Sequence, residues 1–122
     1  MSEPILIVDD DRDLRDSLHD TLTDEGFTTA EVAGGLEALD YLRAHPGTPL
    51  ILLDWNMAPM DGPTFRAELA AIPELAAIPV VVLTADSRVH DKACTPAYAA
   101  CLKKPVNLPQ LFALAARFCR QL

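Results

Sequence analysis

Three short runs of uninterrupted apolar residues, each stopped by a polar one, limit what this chain can fold into. Ile5 to Val8 runs into Asp9-Asp10-Asp11, Leu50 to Leu53 into Asp54, and Val80 to Leu83 into Thr84. Continuous apolar runs without alternation suit strands buried on both faces, whose carboxyl ends open to solvent. Helical patterns lie between them. Leu14, Leu18 and Leu22 recur every fourth residue, and Gly26 stands where that helix would stop. Phe27 to Val32 leans towards strand, and Gly34-Gly35 marks a turn before a helix carrying Ala38, Leu39 and Leu42 that ends before Pro46-Gly47. Asp61-Gly62-Pro63 starts another helix with Phe65, Leu69 and Ile72 on one face. Thr95-Pro96 breaks the stretch Asp86 to Ala99 into a short or irregular helix; Ala100 to Leu102 forms a last strand, and Leu108, Leu111, Phe112, Ala115 and Phe118 mark a terminal helix. Strand and helix alternating in this way predict an α/β fold, a parallel sheet covered by helices on both faces.

With 122 residues, half of them hydrophobic, the chain suffices for one compact core and is read as one domain over 1–122. Eighteen acidic against ten basic residues give a formal charge of -8, which argues against nucleic acid or anionic membranes as direct partners. The start, Met1-Ser2-Glu3-Pro4 and then four apolar residues, has neither the basic region of a signal peptide nor the length of a membrane span, so the cytoplasm is the expected location. Cys94, Cys101 and Cys119 match neither a disulfide framework nor a zinc spacing and read as reduced, mostly buried thiols.

In open parallel sheets, ligands bind beyond the carboxyl ends of the strands, and Asp9, Asp10, Asp54, Thr84 and Lys104 would all fall there. Three carboxylates held close repel one another unless a cation sits among them. A hard divalent ion, magnesium with manganese as a substitute, takes oxygen ligands of this kind. Asp54 stands alone on its loop, which leaves one oxygen to attack phosphorus while the other touches the metal. Lys104 and Thr84 would then neutralise and hydrogen-bond the equatorial oxygens of a transferred phosphoryl group. Taken singly, Asp9 and Asp10 could be no more than a cap for the following helix, and Trp55 either gates the site or packs the loop. Asp11, Asp13, Asp16 and Asp20 read as the solvated face of the first helix.

Ile7-Val8-Asp9-Asp10-Asp11, Leu53-Asp54-Trp55-Asn56-Met57 through Met60-Asp61-Gly62, Leu83-Thr84-Ala85 and Leu102-Lys103-Lys104-Pro105, in that order, resemble the CheY-like receiver domain of bacterial two-component response regulators, over the whole chain. The resemblance implies a doubly wound, five-stranded sheet of order 2-1-3-4-5. It implies Asp54 as phosphoacceptor in a magnesium-dependent reaction, with Asp10 and the Asn56 carbonyl binding the metal directly and Asp9 through water. Lys104, chosen over Lys103, would contact the phosphoryl group or Asp54 ahead of a cis Lys104-Pro105 bond, and Thr84 would hydrogen-bond the phosphoryl group. Asn56 and Asp86 hold positions that tune its lifetime. The implied donor is a sensor histidine kinase or phosphotransfer protein, the receiver of the signal an unspecified downstream protein, and the state a monomer or weak dimer. The chemistry implied is self-catalysed phosphotransfer and autodephosphorylation, with no further enzyme activity. The output segment departs from the pattern: Cys101 stands where an aromatic is usual, Tyr98 lies three residues early, Pro96 interrupts, and Ala58-Pro59 shifts a loop proline by one place. Two other readings compete, an interaction module signalling without phosphate and a haloacid-dehalogenase-like phosphatase built on Asp9 and Asp11. A stand-alone receiver is the simplest account of the last helix, although a piece of a longer regulator or hybrid kinase would look the same.

Overall fold

The protein is described from a computed structural model that covers residues 3–55, 60–85 and 98–119. Among these residues the order is β1 (Ile5–Val8), α1 (Arg12–Asp24), β2 (Thr29–Val32), α2 (Gly35–Ala44), β3 (Ile51–Asp54), α3 (Gly62–Ala70), β4 (Val80–Thr84), β5 (Ala100–Lys103) and a last helix, α4 (Leu108–Phe118). All neighbouring strands pair in parallel, in the order β2-β1-β3-β4-β5. This is the doubly wound order that the resemblance implies.

Side chains alternate across a strand, so each apolar run serves two cores at once. Ile5, Ile7, Leu52, Val81 and Leu83 point to one face, where Leu18 and Leu22 of α1 and Leu111 and Ala115 of α4 cover them. Leu6, Val8, Ile51, Leu53 and Val80 point to the other and meet Ala38, Leu39 and Leu42 of α2 and Phe65 and Leu69 of α3. Every residue of β1, β3 and β4 is buried. Absence of alternation in the sequence is thus the direct consequence of having helices on both sides.

The ends of the helices follow local chemistry. The Asp11 carboxylate accepts from the Asp13 and Leu14 amides at the start of α1, Asp61 accepts from Thr64 N–H at the start of α3, and Asn107 accepts from Gln110 N–H at the start of α4. Pro63 and Pro109 occupy first-turn positions that need no amide donor. After α1 the chain reverses through Gly26 at φ 94, a left-handed conformation that side chains disfavour.

Strands β3, β4 and β5 each end one residue later than expected, and three other boundaries also differ. The second strand begins at Thr29, because Phe27 turns into the core after the reversal at Gly26. Gly35 belongs to the first turn of α2 and not to the turn before it. Ile72 lies beyond α3, which stops at Ala70: Pro73 offers no amide and disfavours helical backbone at the residue before it. The turns that follow still bury Leu75 and Ile78 against the α2–α3 face. The expected irregular helix between Asp86 and Ala99 lies mostly outside the described residues, as do Cys94, Thr95-Pro96 and Ala58-Pro59.

Leu52 is fully buried in the central strand, so Leu52→Ala should lower unfolding free energy by about 2–5 kcal/mol. Gly26→Ala should lower it by about 1 kcal/mol through backbone conformation alone. Urea midpoints of the two variants check both, and a Leu52→Ala loss no larger than that of Gly26→Ala would contradict the two-sided burial of β3.

Candidate functional site

Because all strands run the same way, Asp9 just after β1, Asp54 at the end of β3, Thr84 at the end of β4 and Lys104 just after β5 reach one edge of the sheet. One oxygen from each of Asp9, Asp10 and Asp54 lies within 4.8 Å of the others, with Asp9 and Asp54 buried and Asp10 exposed. Lys104 Nζ donates to Asp54 Oδ1 at 3.2 Å and stands 3.7 Å from Asp9 Oδ2. Lys103 is the exposed last residue of β5, paired in register with Thr84. It is therefore Lys104 that reaches the carboxylates. Its backbone amide donates to the Thr84 carbonyl at 2.7 Å, and the Lys104-Pro105 bond is cis.

The acidic corner is held by its own backbone. Asp9 Oδ1 accepts from the Asp11 amide at 2.8 Å, Asp9 N–H donates to Val32 O at 3.2 Å, and the Asp9 carbonyl accepts from Arg15 Nη1 at 2.7 Å. The helix cap is Asp11, so Asp9 and Asp10 are not used up as caps. Asp9 Oδ2 is buried and has no hydrogen-bond partner among the described residues. Burial pushes the Asp9 carboxyl above its ordinary value; the Asp11 amide opposes this, the Asp54 charge adds to it, Lys104 opposes it and Asp10 adds to it again. A buried carboxylate oxygen with no hydrogen bond among the described residues, facing two further carboxylates, fits a hard divalent cation with oxygen ligands.

The other expected residues fall as follows. Thr84 is fully buried at the same edge. Cys101 is a buried thiol inside β5, opposite Val82 in the strand register, and Trp55 and Tyr98 pack on these two residues. The rings of Trp55 and Tyr98 meet edge to face, with centroids 5.9 Å apart. The Trp55 amide donates to Leu83 O and its carbonyl accepts from Gly62 N–H; a Cβ on Gly62 would stand 3.2 Å from that same carbonyl oxygen, so a glycine suits this close return of the chain. Asn56 and Asp86 lie outside the described residues. Sequence reasoning passed over Arg15, whose only signal is a basic residue four places after a helix cap; in the fold it grips the Asp9 carbonyl and lies 3.8 Å from Glu31 of β2.

Comparison with known proteins agrees with this geometry. The family model of the response regulator receiver domain matches residues 5–116. The chain is 35% identical over 118 residues to an uncharacterised 14.6 kDa protein from the sodA1 3' region of Leptolyngbya boryana, covering 94% of this chain and 88% of that protein. It is 38% identical over 86 residues to sporulation initiation phosphotransferase F of Bacillus subtilis, covering 70% of this chain and 66% of the relative. The crystal structure of a response regulator receiver protein from Pseudomonas putida superimposes with a TM-score of 0.86 at 27% identity, over 96% of this chain and 98% of that one. The chain belongs to the response regulator receiver domain family. It is a phosphoacceptor module of two-component signalling, a class that works with histidine kinases or phosphotransfer proteins. No described helix is long and apolar enough to cross a membrane.

The raised carboxyl of Asp9 has a signed consequence for the metal-free protein. As pH rises from below the ordinary value of 3.8 through the higher folded value, the unfolded chain releases this proton first, so stability falls. In a chelating buffer at neutral pH, Asp9→Asn should therefore melt above the wild type. The gap should close in acid, below the ordinary carboxyl range. Thermal melts of both proteins across pH test this, and a wild type that stays the more stable throughout would contradict it.

Proposed function

We propose that Asp54 accepts the phosphoryl group and that magnesium, held by Asp9, Asp10, Asp54 and the backbone carbonyl of Asn56, is required for the transfer, with manganese able to replace it. The observation that carries this reading is the meeting of three carboxylates with Lys104 at the open edge of the sheet. When bound, the ion supplies positive charge to the phosphoryl oxygens and to the crowded carboxylates. One Asp54 oxygen forms the new bond to phosphorus while the phosphorus–nitrogen bond of a phosphohistidine donor breaks, its electron pair leaving with the imidazole. Lys104, already 3.2 Å from Asp54, is placed to follow the added charge, and Thr84 at the end of the adjacent strand offers its hydroxyl to a phosphoryl oxygen. Hydrolysis of the aspartyl phosphate returns the carboxylate, on a timescale of seconds to minutes set with Asn56 and Asp86. No other enzymatic activity belongs to this reading.

The family match over 5–116 supports treating residues 1–122 as one receiver domain. Its donor is a sensor histidine kinase or phosphotransfer protein in the cytoplasm. Its output is a surface change read by a downstream protein, with the domain a monomer or weak dimer. A dehalogenase-like phosphatase built on Asp9 is the weaker reading, since Asp9 is buried and one of its oxygens is committed to the Asp11 amide.

Incubation with magnesium and acetyl phosphate should add one phosphoryl mass to the wild type and none to Asp54→Asn, as read by intact-mass spectrometry. Lys104→Ala should still be phosphorylated but transmit less of the consequence, measured as the shift in Trp55 fluorescence on phosphorylation. Label mapping to Asp9, or equal labelling of Asp54→Asn, would sink the assignment. Magnesium at a hundred times its dissociation constant should stabilise the wild type by about 2.7 kcal/mol, and this gain should shrink in Asp9→Asn.

A further inference from the structure

We propose that Arg15 is a positioning residue of the metal site, holding the Asp9–Asp10 peptide so that the Asp10 carboxylate faces Asp54; this rests on the magnesium reading above. The Asp9–Asp10 peptide is the shortest covalent link between two of the three carboxylates, so its orientation decides where Asp10 lies. Two groups grip it and the peptide before it. Asp9 N–H donates to Val32 O on β2 at 3.2 Å, and Arg15 Nη1 donates to the Asp9 carbonyl at 2.7 Å. Arg15 is anchored in turn. Its own amide donates to the Asp11 carbonyl at 3.0 Å in the first turn of α1, and its Nε lies 3.8 Å from Glu31 Oε1 on β2. The Arg15 and Glu31 side chains keep 16% and 28% of their accessibility, so neither is a freely solvated surface charge. A planar guanidinium, with its donors in a fixed fork, can span a carbonyl and a carboxylate in one defined orientation. The result is a brace joining α1, β2 and the acidic corner.

Charge alone predicts the opposite of positioning. A fixed cation beside a divalent ion repels it, so if Arg15 acted only through its charge, removing it would tighten magnesium binding. If it positions Asp10, removing it weakens binding in spite of the relieved repulsion. Partners that orient metal ligands typically change affinity by about 10–100-fold when lost.

The test uses the full chain and magnesium alone as the probe, followed by Trp55 fluorescence and by calorimetry, in wild type, Arg15→Met, Arg15→Lys and Glu31→Gln. Urea midpoints of all four are taken without metal. Arg15→Met is expected to bind magnesium at least about tenfold more weakly. Arg15→Lys should recover part of the loss through a single donor to the Asp9 carbonyl, and Glu31→Gln should lose less than Arg15→Met. Unchanged or tighter binding by Arg15→Met would overturn the proposal. So would weakening that tracks the loss of metal-free stability across the variants, since that marks a merely structural brace. A wild type that does not respond to magnesium at all overturns the metal site itself, and this proposal with it.

Discussion

Parallel pairing of β1, β3 and β4, with both faces of the sheet buried, is the constraint on which the rest of this molecule depends. Parallel neighbours cannot be joined by a tight turn; each connection must cross a face of the sheet, and here helices make the described crossings. Two consequences follow from that single requirement. The three central strands must be apolar up to their carboxyl ends, because each face meets helices. Their carboxyl ends must also share one edge, where the ladder stops and the chain can carry polar side chains. The corner formed by Asp9, Asp54, Thr84 and Lys104 is therefore a product of strand direction before it is a product of any side-chain contact.

That edge works against the stability of the domain that builds it. A carboxylate as buried as Asp9 is unfavourable in its charged form, and Asp54 and Asp10 add repulsion. Lys104 offsets part of this by reaching both Asp54 and Asp9, and the Asp11 amide satisfies one oxygen. The second oxygen of Asp9 stays without a hydrogen bond among the described residues. Groups left in this condition inside a well-packed fold usually mark a function. The same imbalance is what the cation of the proposed reaction would relieve.

Around Cys101 the core is completed by side chains from other parts of the chain. A small thiol stands on β5, and Trp55 and Tyr98 supply aromatic volume beside it and Val82. Trp55 follows Asp54 directly, continues the backbone pairing to β4 and closes the loop onto Gly62. The indole is thus tied by one peptide bond to the proposed acceptor and by packing to the strand that precedes Lys104. Burial raises the Tyr98 phenol above its ordinary value, as expected of an aromatic drawn inward, while Arg66 opposes this and the Cys101 and Asp61 charges add to it.

Much of this was legible from residues alone, because the signals are local and strong. Four-residue apolar runs mark doubly buried strands, Gly26 and Asp61-Gly62-Pro63 mark helix ends through backbone chemistry, and a polar residue after each run marks the open edge. Ile72 misled because its spacing fits the apolar face of α3, while Pro73 ends the helix before it. The order of the strands and the family's site came from motifs that carry meaning only in combination. What the residues could not determine were distances between segments far apart in the chain. The choice of Lys104 over Lys103 rested on resemblance alone, since the reach of Lys104 to Asp54 across fifty positions depends on the twist and register of the sheet. Nor does a pattern of arginine and glutamate reveal that Arg15 braces the Asp9 carbonyl against β2. Local sequence determined which elements form and where they end, because backbone conformation and burial periodicity act over a few residues. Only the tertiary structure decided which charges meet, because electrostatic contacts depend on ångström-scale placement that packing alone sets.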